Sequence, residues 1–217
     1  MRTGSMTMPY YEPWVGNNYE GAPYSGSRLL FVGESSYERN FKSQPSHLRK
    51  DTAALAAGTF GPKYSGFWRY IQRSVTGAQQ ITVKSQHEFW EGVALVNLIQ
   101  RPMSTKYKRP NKKDFQYGVS ALRSYINELN PEGIVVYSKS AWPALIQGLS
   151  LVADRHPLVK KSPPDPISDS KYTYHTSVFP YATPQFLLLR HPSSRPKLRA
   201  IKWFDVIRPF LQRLRNA

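Results

Sequence analysis

Four short apolar runs, each followed by a polar or turn-forming residue, limit what this chain can fold into. They are residues 28–32 (RLLFV), 93–96 (VALV), 133–137 (GIVVY) and 185–189 (QFLLL). Each is short for a helix and too evenly apolar for a strand with one wet face, so each is expected as a strand covered on both sides. Between them lie stretches with helical spacing. Residues 67–75 put Phe67, Tyr70 and Ile71 on one face, and residues 114–129 do the same with Phe115, Val119, Leu122, Tyr125 and Ile126. Residues 88–91 read as the last turn of a helix, and 141–149 as another helix. This alternation predicts an α/β fold: three αβα layers around a central, mostly parallel sheet of four or five strands.

The connecting segments are less regular. Residues 1–27 are rich in Gly, Tyr and Pro and read as an irregular N-terminal arm, leaving 28–217 as one domain. The arm's Trp14 is expected to pack over either the core or the mouth of a pocket. Residues 40–57 read as a loop leading into a short helix, 58–65 as a turn-rich loop and 154–169 as an irregular surface loop. Residues 171–179 alternate and are expected as an outer strand. In the basic tail, Ile201, Phe204, Ile207, Leu211 and Leu214 form an apolar stripe, and Pro209 is expected to kink or end that helix near Arg208.

Composition narrows the partners. With 217 residues, 40% of them apolar, the chain can bury one sizeable core. No run approaches a membrane span and no signal-peptide pattern opens the sequence, so a soluble, cytoplasmic protein without a membrane partner is expected. There is no cysteine, which excludes disulfides, thiolate zinc sites and cysteine-ligated iron–sulfur clusters. His47, His87 and His175 are scattered without ligand spacing, so no metal is expected either, and His156-Pro157, with no strand before it, reads as a surface turn. Thirty Lys and Arg against fourteen Asp and Glu give a net charge of +16, which points to a polyanionic partner. Aromatic residues make up 13% of the chain and interleave with the cations, which favours nucleic acid. Lys106, Lys108 and Arg109, in the basic, Pro-rich segment 101–113, are expected to face it.

Ligands of open α/β sheets bind beyond the carboxyl ends of the parallel strands. Three strand ends here carry unusual polar groups: Gly33-Glu34-Ser35-Ser36-Tyr37, Asn97, and His191-Pro192-Ser193-Ser194-Arg195. Singly each is an ordinary turn or cap. Together they would bring a carboxylate, an amide and an imidazole into one crevice.

On these residues the chain resembles the uracil-DNA glycosylase superfamily, over about residues 28–214. Residues 33–37 are similar to the family's first motif, between its Gly-Gln-Asp-Pro-Tyr and Gly-Glu-Ala-Pro-Gly forms. Residues 93–102 (VALVNLIQRP) resemble the strand whose terminal asparagine reads a pyrimidine edge, and 60–68 (FGPKYSGFW) resembles the mismatch-specific branch. His191–Arg195 is similar to the second motif, its Arg being the variant of the single-strand-selective monofunctional branch.

The resemblance implies a monofunctional DNA glycosylase, acting without a cofactor and as a monomer. It would flip a uracil-like or 5-modified pyrimidine out of DNA and hydrolyse its N-glycosidic bond, in base-excision repair or in defence against phage DNA with modified bases. Phe60 would stack on the ring, Asn97 would read its edge, and Tyr37 would pack at the 5-position. His191 would donate to the departing base, and Ser193, Ser194 and Arg195 would contact DNA, with Arg195 filling the hole left by the flipped base. The family's commonest water-activating aspartate corresponds to Ser35, which is no base at neutral pH. Glu34 is the nearest carboxylate and Glu38 the second. The absent aspartate keeps an alternative open, an inert module that recognises modified or damaged DNA. Charge alone also fits a basic RNA-binding accessory protein.

Overall fold

Strand β2 (Leu29–Gly33) is buried along its whole length and lies inside the sheet. The computed structural model describes residues 9–36, 44–59, 66–104, 108–151, 177–179, 184–192 and 200–216, with backbone alone for 177–179, 201 and 202. The other strands are β1 (Trp14–Val15), β3 (Ala94–Asn97), β4 (Gly133–Tyr137), β5 (Ser177–Phe179) and β6 (Gln185–Leu189), and the sheet order is β1-β3-β2-β4-β6-β5. The four apolar runs form the parallel centre, β3-β2-β4-β6. Two antiparallel strands, β1 on β3 and β5 on β6, bring the sheet to six strands among the described residues, beyond the four or five expected. β1 is two residues long, too short to show a period in the sequence.

Successive side chains of a strand point to opposite faces, and each face of this sheet has its own helices. Leu29 and Phe31 join a core with Leu48 and Leu55 of α1 (His47–Ala56), Ile71 and Val75 of α2 (Gly66–Thr76), Phe89 and Trp90 of α3 (Val83–Glu91), and Trp203 and Ile207 of α6 (Ala200–Arg215). Leu30 and Val32 join the opposite core with Val119 and Leu122 of α4 (Lys112–Leu129) and Leu145 of α5 (Trp142–Gly148). Helices therefore cover both faces.

Local chemistry sets the helix ends. Asn111 accepts the Asp114 N–H and the Asp114 carboxylate accepts the Asn111 N–H, a capping box that starts α4. Asn130 stops it in the left-handed region, at φ 44°. Thr82 and Ser85 start α3 in the same way, so the turn expected at 88–91 is the end of a longer helix. Gly118 lets α4 sit on the turn after β3, because a Cβ there would lie 2.3 Å from the Leu98 carbonyl oxygen.

Of the two outcomes expected at Pro209, a kink or an end near Arg208, the end does not occur: helix α6 runs through Pro209 to Arg215. The proline is on the exposed face, so the carbonyl it cannot serve, that of exposed Asp205, is left on the solvent side. Buried Trp203 and Ile207 before it, and Phe210 and Leu214 after it, anchor both halves. Of the expected stripe, Ile207 and Leu214 are buried and Leu211 packs half-buried against the core, Phe204 is half-buried, and Trp203 and Phe210 join the buried face.

The arm belongs to the fold from residue 9 onward. Tyr11, Trp14 and Tyr19 are buried, and Trp14 packs in the core with its indole N–H donated to the Trp90 carbonyl at 2.8 Å. Among the described residues no helix is long and apolar enough to cross a membrane.

Candidate active site

From β2 the chain goes to β3 on one side and then returns to β4 on the other. In such sheets ligands bind beyond the strand carboxyl ends at this kind of reversal, which here falls at β2 and β4. The turn after β3 is stitched to the loop after β2: Leu98 donates its N–H to the Gly33 carbonyl at 2.9 Å, Ile99 to Glu34 at 2.9 Å and Met103 to Ser36 at 3.0 Å. Asn97 is buried at the end of β3, and its Nδ2 donates to Ser36 Oγ at 2.6 Å. Gly33 permits this arrangement. A Cβ there would lie 2.4 Å from Asn97 Oδ1 and 3.2 Å from Phe67 Cζ.

Glu34 is 6% exposed, and an ionised carboxylate at that depth needs compensation. Ser138, directly after β4 and fully buried, donates its hydroxyl to Glu34 Oε2 at 2.5 Å. The same hydroxyl accepts the Ala141 N–H at 3.2 Å, which leaves its one proton for Glu34. On the open side, Arg109 Nη1 stands 3.9 Å from Glu34 Oε1.

His191 follows β6. Its ring lies parallel to Phe67, with centroids 5.6 Å apart and planes 10° from each other. Burial pushes its pKa below the usual histidine value; the Glu34 charge acts against this and the Arg109 charge with it. The imidazole is therefore neutral at pH 7, with an N–H to donate and no charge to lose.

Glu34, Asn97 and His191 thus lie at the carboxyl ends of β2, β3 and β6, with Phe67 bridging Gly33 and His191 and the Glu34 charge acting on His191. Arg109 joins them. Ser35 is half-buried between Glu34 and Ser36, and it is Ser36 that holds Asn97. Lys108 is exposed and its charge acts on Asp114. In the same basic segment Arg101 is committed to Asp114 through bonds of 2.6 and 2.7 Å, which hold the Asp114 carboxyl below the usual range. Phe60, Tyr37, Glu38, Lys106, Ser193, Ser194 and Arg195 lie outside the described residues, as do His156, His175 and the loop 154–169.

The sequence reading missed Phe67, Ser36 and Ser138. Ser138 was findable, because the run 133–137 also ends on a polar residue. Phe67 looked like one more apolar position on a helix face. Among the described residues no group of three His, Asp or Glu side chains is placed to hold a metal. No protein-family model matches the chain, and no curated protein is significantly similar to it.

Proposed function

We propose that this protein is a monofunctional DNA glycosylase of uracil-DNA-glycosylase-like fold, removing a uracil-like or 5-modified pyrimidine. The observation that supports this reading is the placement of Glu34, Asn97 and His191 at the carboxyl ends of three parallel strands, with Phe67 stacked on His191 and the Glu34 charge acting on it. An amide offers a donor and an acceptor to a pyrimidine edge. Cleavage of the base–sugar bond sends its electron pair to the base, and the neutral His191 N–H meets the charge developing on a base oxygen. The sugar carbon, left electron-poor as in glycoside hydrolysis, takes the oxygen of a water whose proton passes to Glu34. Base and abasic site are the products.

The direct test incubates the purified protein with duplexes and single strands carrying uracil or 5-substituted pyrimidines, followed by alkali cleavage. Strand scission at the modified position is expected. Tight binding without scission would instead support an inert reader of modified DNA.

Electrostatics supplies a second test. With a net charge of +16, the logarithm of DNA affinity should fall linearly and steeply with the logarithm of salt concentration. A flat response removes nucleic acid as the partner.

Asn97→Asp tests base reading. The ionised side chain only accepts, so removal of a 4-oxo pyrimidine such as uracil should be lost, while a 4-amino pyrimidine is tolerated or improved. Equal loss on both would make Asn97 structural.

A further inference from the structure

Gln100 ties the N-terminal arm to the strand end that carries Asn97. It lies three residues past Asn97 and is 5% exposed. Its Nε2 donates to the Asn97 carbonyl at 2.6 Å and reaches the Leu98 carbonyl at 3.5 Å. On the other side, its Oε1 accepts the backbone N–H groups of Tyr10 at 3.0 Å and Tyr11 at 3.1 Å. The amide oxygen thereby uses both its lone pairs and the amide nitrogen makes one short bond, to the Asn97 carbonyl. Tyr125 of α4 completes the set: its hydroxyl donates to the Tyr11 carbonyl and lies 3.2 Å from Gln100 Oε1. Burial pushes the Tyr125 pKa up, so the hydroxyl keeps its proton.

We propose that Gln100 is a positioning residue for Asn97, and that Tyr10 and Tyr11 of the arm form, through it, the outer support of the base-reading site. This rests on the glycosylase reading above. Asn97 is the last residue of β3, so little ladder fixes its side chain beyond the bond to Ser36. The turn that follows is held from within by Gln100 and from outside by the arm. Removing the amide leaves one buried carbonyl and two N–H groups of the arm without their partner, and such groups are costly to leave unmet. The turn would relax to re-pair them. A shift of a fraction of an ångström at Asn97 is enough to spoil recognition.

The test uses full-length protein and matched duplexes carrying a 4-oxo or 4-amino pyrimidine with the same 5-substituent. Single-turnover excision is compared for wild type, Gln100→Met, Gln100→Glu and Tyr125→Phe, with affinity for an abasic duplex measured in parallel. Gln100→Glu keeps an oxygen for the arm and, when ionised, sets an acceptor against the Asn97 carbonyl. It should cut the discrimination between the two bases by about tenfold, as should Gln100→Met, with abasic-site affinity nearly unchanged. Tyr125→Phe, which loosens only the arm, should cut it about threefold. A fall in all rates with discrimination unchanged would make Gln100 a stabiliser of the fold and overturn the proposal.

If wild type excises no pyrimidine, it is the glycosylase reading that fails. The clamp is then judged by hydrogen exchange at the Leu98 and Ile99 amides. Exchange at least about tenfold faster in Gln100→Met or Tyr125→Phe supports it, and unchanged exchange overturns it.

Discussion

His191→Ala is expected to lower the single-turnover excision rate by on the order of a hundredfold or more, the usual loss for one preorganised donor to a developing oxyanion. DNA affinity should barely change, because the imidazole acts mainly in the transition state. Phe67 stacks on the imidazole, and burial favours its neutral form. That neutrality has a pH signature. With the His191 pKa below its ordinary value of about 6.5, the acid-side fall in the wild-type rate should be centred below that of an ordinary histidine. Phe67→Ala admits water to the ring face, which raises the His191 pKa and moves its titration up towards 6.5. The stability effect has the same sign. As pH falls through about 6.5 the unfolded chain takes up a proton that the folded chain refuses, so folding stability declines on the acid side. An unchanged rate in His191→Ala would remove the imidazole from the chemistry.

How far this site was legible in the sequence depends on the kind of signal each part left. The parallel centre was visible because β2, β3, β4 and β6 are buried on both faces and so read as unbroken apolar runs. Glu34, Asn97 and His191 were visible because each follows such a run and has no packing reason to be there. Ser138 follows the same rule but is small, and only its bond to Glu34 distinguishes it from an ordinary helix cap. Phe67 and Gln100 left no local signal. One belongs to the site through its stack with a residue far along the chain, the other through hydrogen bonds to an arm ninety positions away. The arm's own β1 pairs with β3 over two residues, and that contact is set by tertiary packing rather than by any pattern within the arm. Helix α6 shows the converse, a helix that continues past its proline where the local rule allowed either a kink or an end. Four buried anchors outweigh one proline whose missing hydrogen bond faces solvent.

Glu34→Gln is expected to have an effect as large as that of His191→Ala or larger, between about a hundredfold and ten-thousandfold in the single-turnover rate, the range for loss of a general base. The substitution is nearly isosteric. Its amide oxygen can still accept from Ser138, so the fold and DNA affinity should be retained while the ability to take a proton from water is lost. Glu34→Asp separates geometry from charge. The carboxylate remains but is one methylene shorter, and it cannot both keep the 2.5 Å bond to Ser138 and present its second oxygen to the crevice. Its rate should therefore fall nearly as far as that of the glutamine variant. Ser138→Ala should fall less, by about tenfold, because the carboxylate stays in place on average but loses the donor that orients it. Glu34 and His191 would act at opposite ends of the breaking bond, yet the charge of one acts on the other. Their losses in the double variant should consequently not be simply additive in free energy. If Glu34→Gln is silent while His191→Ala is impaired, water activation passes to another carboxylate, with Glu38 the next to replace.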